Sequence, residues 1–242
     1  MKQKHTLTYF TNSLVLFLFC VTIQAQNDSI ATKASDSIII KEKYGLRIGG
    51  DLSKLVRSFA EDDYTGFQIE ADYRLKKRLY LAAEIGFDNK TSTTDYLDIT
   101  TQGSYLKAGI DYNLYDNWLD MDNMIYGGFR LGVSSFSHEL NSFTVYNTNQ
   151  YWAPQYSSDT LQEFNDLSAV WIEGILGMKA QILNNLYLGL NVQLKILVSE
   201  TEPDNFQSIY VPGYNKTNDS SKFGAGFGYS LSYRIPLYQK NK

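Results

Sequence analysis

Cysteine is almost absent from this chain, and so are the common sequence motifs of cofactor and metal binding. The only cysteine, Cys20, lies in the N-terminal segment, so the remainder of the chain has no disulfide and no thiol chemistry. The sequence contains no phosphate-binding loop, no zinc-type Cys/His cluster and no dinucleotide fingerprint. We therefore expect neither a cofactor nor a bound metal.

Positive charge and long apolar runs are also scarce. The net charge is −4 and the pI is near 5.2, which disfavour nucleic acid as a partner. Beyond the N-terminal segment, no apolar run is long enough for a membrane helix. Any crossing of a membrane must therefore be made by strands. The mean hydropathy of −0.30 is compatible with this, because only alternate residues of a barrel strand face lipid.

The N-terminus has the pattern of a secretory signal. Lys2 and Lys4 precede the apolar run Leu14–Ile23, and Ala25 stands at the small-residue position of a cleavage site. The apolar run is too short to span a bilayer. The sequence therefore predicts a signal peptide over residues 1–25, followed by a polar periplasmic tail over residues 26–43.

Alternation of apolar and polar residues is the strongest pattern in the chain, and it is clearest over Leu186–Ser199. Every second residue from Leu186 to Val198 is apolar, which is typical of a strand with one apolar face. Soluble strands usually have about 5–6 residues. This run is about twice as long, and a tilted strand of that length rises roughly 30 Å, the thickness of a bilayer's hydrocarbon core.

Seven further segments alternate in the same way, which gives eight predicted strands. The connections between them are short and long in strict alternation, as expected for periplasmic turns and extracellular loops. The longest connection is 136–167. The predicted strands are Tyr44–Ser53, Gly66–Leu75, Leu79–Asp88, Ser104–Tyr115, Ile125–Ser135, Ser168–Ile182, Leu186–Ser199 and Phe223–Tyr238.

Aromatic residues mark both ends of the apolar faces. Those near the short turns and those near the long connections form two sets, as in the aromatic girdles of membrane barrels. The first set is Tyr44, Tyr73, Tyr112 and Tyr233, and the second is Phe67, Phe87 and Phe223.

With these patterns the chain resembles the small eight-stranded bacterial outer-membrane proteins of the OmpA-barrel and OmpX architecture. The final strand, with Gly228 followed by alternating hydrophobic residues to Tyr233, is similar to the signal read by the barrel-assembly machinery. The resemblance implies an all-β, eight-stranded antiparallel up-and-down transmembrane β-barrel over residues 44–238, with a short tail over 239–242. It also implies location in the bacterial outer membrane after removal of the signal peptide.

Charged residues recur on the polar face of the predicted strands, which faces the lumen of such a barrel. An eight-stranded barrel has room inside for side chains only, and buried charges require partners. We expect a network of ion pairs that plugs the lumen; the alternative is a narrow polar path through gaps at Gly86, Gly109, Gly128, Gly177 and Gly189. The predicted network is Arg47, Asp51, Glu70, Asp72, Arg74, Glu84, Lys107, Asp111, Arg130, Glu173, Lys179, Lys195 and Arg234.

The long connection 136–167 is rich in aromatic residues, and no lysine or arginine occurs between Leu131 and Met178. Exposed aromatic loops often form recognition surfaces. The alternative is that the rings pack on one another to hold the loop. The candidate recognition residues are Phe143, Tyr146, Tyr151, Trp152, Tyr156 and Phe164.

A catalytic site is a weaker interpretation. His138 is the only histidine after the signal segment and has Ser134, Ser135, Ser137 and Glu139 as neighbours in sequence. A serine–histidine–acid set near the outer leaflet would suit lipid modification. Residues adjacent in a strand point to opposite faces, however, so these neighbours do not form such a set by sequence alone.

The sequence favours a non-enzymatic outer-membrane barrel with a plugged lumen that displays long extracellular loops, for envelope structure, adhesion or partner binding. Three alternatives remain: a narrow porin-like channel, a lipid-modifying enzyme, and a secreted soluble barrel of the lipocalin type. The expected partners are outer-membrane lipid and the machineries of secretion and barrel assembly. An extracellular ligand or protein is a further expected partner that the sequence does not identify.

Overall fold

A computed structural model of the chain describes residues 41–117, 122–146, 148, 156–203, 208–217 and 221–241. Eight long antiparallel strands each pair with the next long strand along the chain, and the last pairs with the first to close the ring. This confirms the predicted eight-stranded antiparallel barrel. The elements are β1 (Lys41–Asp51), α1 (Leu52–Ala60), β2 (Tyr64–Arg74), β3 (Leu79–Thr93), β4 (Leu97–Asn113), β5 (Met124–Val145), β6 (Tyr156–Ser158), β7 (Gln162–Leu183), β8 (Leu186–Glu200), β9 (Tyr210–Val211), β10 (Asn215–Lys216) and β11 (Phe223–Asn241).

The apolar side chains of the ring strands point outward and the charged ones point inward. In β8, Leu190 and Leu194 are 49% and 72% exposed, whereas Tyr187 and Lys195 are 0% and 2% exposed. The same alternation runs along β3, β4 and β5. This is the reverse of a soluble barrel, in which the apolar face fills the interior. The outward face forms an apolar band around the barrel.

The predicted short turns lie where expected, whereas much of two long connections is strand. β2 and β3 are joined at Leu75–Arg78, and β7 and β8 at Asn184–Asn185, where Asn185 has a φ of 64°. β3, β4, β5 and β7 continue well past the apolar band, with paired residues as far out as Leu97 and Phe143. The assignment of residues 89–103 and 136–167 to loops was therefore wrong over much of their length.

The strand pairing at the chain ends extends three residues beyond each predicted barrel boundary, from Lys41 to Asn241. The predicted signal peptide and nearly all of the predicted N-terminal tail, residues 26–43, lie outside the described residues. The β1–β11 register shifts between Tyr44 and Gly45, opposite Pro236, which has no N–H to donate. Tyr44 is therefore buried and stacks on Tyr238 with ring centroids 4.9 Å apart.

The structure places the predicted girdle residues on the outer surface, with the exception of Tyr44. Tyr112 and Tyr233 on the short-turn side, and Phe67 and Phe223 on the opposite side, are each about half exposed or more on the outer surface. Tyr73 and Phe87 are partly covered at the same two levels. The placement of Tyr44 on the outer face was wrong, because strict alternation does not account for the bulge at Leu237, next to Pro236 in β11.

Helix α1 replaces the last two residues of the first predicted strand, Tyr44–Ser53, and the first part of the connection that follows it. Asp51 caps its N-terminus by accepting a hydrogen bond from the Ser53 N–H at 2.7 Å. Its apolar residues recur at helical spacing and point away from the barrel interior, while Ser53 and Lys54 are buried. In the part of the chain that the structure describes, no helix is long and apolar enough to cross a membrane.

Candidate functional site

The structure places all of the predicted network residues on the inner side of the barrel, where they form two ion clusters and several separate contacts. The first ion cluster consists of Arg47, Glu70, Asp72 and Lys179. The Asp72 carboxylate accepts from Arg47 Nε at 2.7 Å and from Lys179 Nζ at 2.7 Å, while Glu70 lies 3.8 Å from the same amine. These contacts join β1, β2 and β7 across the lumen.

The second ion cluster lies farther toward the long connections. Arg130 donates to Asp111 at 2.7 and 3.0 Å and to Glu84 at 3.2 Å. Lys107 lies 3.3 Å from both Glu84 and Glu173. Glu173 Oε1 also accepts from Trp171 Nε1 at 2.7 Å. The members of this second ion cluster are Glu84, Lys107, Asp111, Arg130, Glu173 and Lys195.

The remaining predicted network residues are engaged separately. Arg74 donates to the backbone carbonyls of Lys43 and Lys77, at 3.2 and 2.6 Å. Arg234 pairs with Asp122, a residue of the β4–β5 connection that the sequence analysis did not select. Asp51 serves as the N-cap of α1.

Side chains from neighbouring strands lie over three of the five glycines at which a gap was possible, namely Gly86, Gly128 and Gly177. A Cβ at Gly86 would be 2.3 Å from the Tyr105 hydroxyl, and one at Gly177 would be 2.6 Å from the Tyr126 ring. A Cβ at Gly128 would be 2.2 Å from the Asp111 carboxylate. The cavity between the two ion clusters is only about 10 Å³, roughly the minimum for one water.

Asp88 organises the outer mouth of the lumen and was missed as a site residue. It is fully buried and accepts from Lys54 Nζ at 2.7 Å and from the Tyr64 hydroxyl at 2.6 Å. It also accepts from the Tyr210 hydroxyl at 3.1 Å and from the Gly213 N–H at 2.9 Å. One carboxylate therefore ties α1, β2 and the β9–β10 hairpin together.

The β9–β10 hairpin closes the mouth with apolar contacts as well. Gly213, with a φ of +79°, lies on the Tyr105 ring, where a Cβ would be 2.5 Å from a ring carbon. Trp171 and Tyr214 meet edge to face with centroids 6.1 Å apart. The buried cluster at this level is Tyr105, Phe136, Leu167, Ala169, Trp171, Val211 and Tyr214.

Part of the candidate recognition surface lies at the outer tip of β5 and β6. Phe143 and Tyr156 have ring centroids 6.0 Å apart, and Tyr146 meets Tyr96 edge to face at 5.6 Å. Tyr146 and Tyr156 remain more than half exposed, whereas Phe164 packs against the buried mouth cluster. The rings pack in pairs and still present an aromatic surface. Tyr151 and Trp152 lie outside the described residues.

His138 is buried beyond the apolar band, where the outward residues of β5 are polar. Its Nδ1 bonds to the Thr101 hydroxyl at 2.8 Å and its Nε2 to the Ser208 hydroxyl at 3.0 Å. In the arrangement that activates a serine, the second ring nitrogen bonds to a carboxylate instead. The hydroxyls that bond to the two ring nitrogens therefore come from β4 and the β8–β9 connection.

Burial lowers the pKa of His138 to about 4. Its unfolded value is about 6.5, so the neutral ring is favoured by folding. The stabilisation is complete above pH 6.5 and is lost as the pH falls toward 4. Between pH 7 and pH 4 we expect the wild type to lose about 2–3 kcal/mol more unfolding free energy than His138→Gln. Denaturant titration of the micelle-folded protein measures this, and equal losses in the two proteins would contradict it.

Within the described ranges, no group of three or more His, Cys, Asp or Glu side chains is arranged to hold a metal ion.

Residues 6–240 match the sequence family described as Domain of unknown function (DUF6048), and the chain belongs to this family. Comparison with curated protein sequences found no match. Among solved structures, the chain is similar to the crystal structure of Ail, the attachment invasion locus protein of Yersinia pestis. The two share 9% identity with a TM-score of 0.41, over 82% of this chain and 100% of that chain.

Proposed function

We propose that this DUF6048 protein is an outer-membrane barrel whose filled lumen makes it a rigid support for a binding surface outside the cell. The observation that carries the proposal is the continuation of β3, β4, β5 and β7 far past the apolar band, ending in exposed aromatic residues. Long, paired strands hold such a surface in a fixed position, which lowers the entropic cost of binding a partner.

The outward face supports location in a membrane. Leu81, Ile85, Leu106, Ile110 and Leu131 are each about half exposed, and similar residues surround the ring. Soluble monomers rarely expose such large continuous apolar surfaces. Lipid contact removes that surface from water. A predicted secretory signal together with strands of membrane-spanning length supports an outer membrane.

The charged interior favours a closed barrel rather than a channel or a soluble carrier protein. A carrier of the lipocalin type needs an apolar cavity, and a channel needs a continuous wet path. Here the two ion clusters are separated by a cavity of only about 10 Å³, and the β9–β10 hairpin covers the mouth. Filled interiors of this kind give structural rigidity without conduction.

The tip surface supports contact with a macromolecular partner. Tyr96, Tyr146 and Tyr156 are exposed there, and tyrosine contributes large contact areas at interfaces with little loss of side-chain entropy. No lysine or arginine occurs between Leu131 and Met178, and Glu139, Asp159 and Glu163 lie in that interval. An aromatic and acidic surface suits a partner with basic or polar groups.

Conductance separates this proposal from the channel alternative. In planar bilayers, the wild-type protein is expected to give no discrete openings, because no water-filled path crosses the ion clusters. Folding is checked beforehand by faster electrophoretic migration before boiling than after. Stable single-channel steps from protein that passes this check would reject the filled-lumen proposal in favour of a narrow pore.

Labelling of engineered cysteines tests the orientation on which display depends. A membrane-impermeant maleimide is expected to label Tyr156→Cys on intact cells, because β6 lies at the outer tip. The matched control is Lys77→Cys in the β2–β3 turn, which should react only after the outer membrane is permeabilised. Labelling of Lys77→Cys but not Tyr156→Cys on intact cells would show the opposite orientation.

A further inference from the structure

The apolar band is indented between β5 and β7. Most glycines of the ring strands face the lumen, but Gly127 on β5 and Gly174 on β7 face outward. A Cβ at Gly174 would meet nothing within 4 Å, and one at Gly127 would only touch Leu176 at 3.8 Å. The two glycines therefore leave open space on an outer surface whose neighbouring positions carry large side chains.

The open space forms a groove of about 520 Å³ on the outer surface. Ile175 lines this groove although its side chain is buried in the interior, so the floor of the groove is main chain. The flanking strands β4 and β8 supply the rim, namely Ile110, Tyr112, Val192 and Leu194. None of the side chains that line the groove is charged, so another apolar surface can approach it without desolvating a charge.

Protruding and missing side chains alternate across the groove. Gly127 lies opposite Leu176, and two residues farther out Phe129 lies opposite Gly174. Phe129 and Leu176 are 50% and 63% exposed, so both protrude from the outer surface. Each of the two rows thus holds one protruding side chain and one gap, and their order is reversed from one row to the next.

This arrangement is complementary to itself under a two-fold rotation. Two copies inserted in the same direction can be related by an axis along the membrane normal. An axis between β5 and β7 places β5 of each copy against β7 of the other. Paired residues on strands about 4.8 Å apart and tilted by about 40° differ in depth by only roughly 3 Å. Leu176 of one copy then lies against the gap at Gly127 of the other, and Phe129 against the gap at Gly174.

The match between protrusions and gaps favours a second copy over a lipid chain as the occupant. Inside a bilayer, proteins associate through close packing rather than through the hydrophobic effect, and glycines let two backbones approach. A flexible acyl chain can fill a groove of any outline and requires no protrusions beside it. Here Phe129 and Leu176 stand at the positions that fill the gaps of a second copy.

We propose that the chain forms a homodimer in the membrane through the outer faces of β5 and β7. Because the barrel is round, the contact is centred on these two strands, and the rim residues on β4 and β8 remain largely against lipid. The inference goes beyond display by a single barrel, although it rests on the proposed placement in a membrane. The dimer presents two outer tips side by side, which raises the avidity for a partner with repeated sites.

Energy transfer between labelled copies in lipid vesicles tests this proposal. The full chain, with Cys20→Ser and Lys77→Cys, carries a donor or an acceptor dye in the β2–β3 turn. Co-flotation verifies insertion beforehand, so a failure of membrane placement is seen separately. We expect energy transfer to persist as lipid is added, whereas transfer from chance encounters fades. Transfer no greater than that of randomly placed barrels would overturn the proposal, including the case in which lipid fills the groove.

Filling the groove locates the contact. Gly174→Leu is expected to weaken association at least tenfold, because its side chain occupies the gap that Phe129 of the other copy fills. The added Cβ meets nothing within 4 Å in its own barrel, and faster migration before boiling checks that the variant folds. The matched control is Ala83→Leu, which is also outward but lies on β3, and should associate like the wild type. Equal association of the two variants would overturn the assignment to β5 and β7.

A disulfide between copies tests the position of the axis. Phe129→Cys and Gly174→Cys proteins, each with Cys20→Ser and with tags of different length, are mixed in vesicles and oxidised. We expect a cross-linked dimer that carries both tags, because these two positions face each other across the axis. The control mixture pairs Phe129→Cys with Ala83→Cys and should give at least tenfold less of the two-tag product. Equal yields from the two mixtures would overturn the proposed dimer.

Discussion

Replacing Arg130 by methionine is expected to lower the free energy of unfolding by about 3–5 kcal/mol. Arg130 is 3% exposed and holds Asp111 at 2.7 and 3.0 Å and Glu84 at 3.2 Å. Methionine leaves Asp111 without its guanidinium partner inside the barrel, and an unpaired buried charge is far more costly than a missing pair. Urea titration of micelle-folded protein, followed by circular dichroism, measures the change.

A companion variant separates charge from packing. Adding Asp111→Asn to Arg130→Met removes the unpaired carboxylate, so the double variant is expected to recover a substantial part of the lost stability. As a matched control, Arg57→Met breaks a half-exposed pair with Glu61 and should cost about 1 kcal/mol or less. If Arg130→Met cost no more than Arg57→Met, the second ion cluster would not stabilise the barrel.

Replacing Gly132 by alanine is expected to cost several kcal/mol, more than the usual 1–3 kcal/mol of overpacking. The added Cβ would lie 2.2 Å from the Trp171 ring, which is fully buried among the residues of the outer mouth. The ring must shift, and its Nε1 then loses the 2.7 Å hydrogen bond to Glu173. The unfolding midpoint and the near-ultraviolet circular dichroism report both effects.

Gly174→Ala provides the matched control for that substitution. Gly174 lies in β7 on the outward face, and an added Cβ meets nothing within 4 Å. Alanine is expected to leave stability unchanged or slightly raised there, because glycine weakens a strand interior. Similar losses in Gly132→Ala and Gly174→Ala would point to a general effect of glycine in the strands and would contradict the packing of Trp171 described here.

The ring architecture was predictable because a barrel strand is a local pattern. Alternation over β8 identifies which residues face lipid, and the charged face identifies which residues face the lumen. The strict alternation of short and long connections then gives antiparallel neighbours. None of these inferences requires knowledge of contacts between distant residues. The outer extensions of β4 and β5 were missed because their outward residues, such as Gln102, Ser135 and Ser137, are polar like those of a loop.

Helix α1 was missed although its signal is present. Asp51 is a good N-cap, and Leu52, Leu55, Val56 and Phe59 follow the helical spacing. The strand period of the preceding residues extends as far as Leu52, so the change of period there is equally compatible with the start of a loop. A test for a period of 3.6 within each long connection would have found the helix.

The contacts of the outer mouth were not predictable from sequence. Asp88 receives donors from Lys54, Tyr64, Tyr210 and Gly213, which are up to 125 positions away in the chain. These donors meet only in the closed ring with the β9–β10 hairpin over its mouth. Likewise, His138 is positioned by Thr101 and Ser208 rather than by its serine neighbours.

Site-directed spin labelling of β8 in bilayer vesicles tests the central claim most directly, namely that the outer face of a filled barrel contacts lipid. Labels at Leu190, Val192 and Leu194 are expected to collide frequently with dissolved oxygen and rarely with a water-soluble nickel chelate. Labels at Asn191 and Gln193 should be inaccessible to oxygen and immobilised inside the barrel. Ready access of the nickel chelate to Leu190, Val192 and Leu194, with no alternation along the strand, would contradict the account.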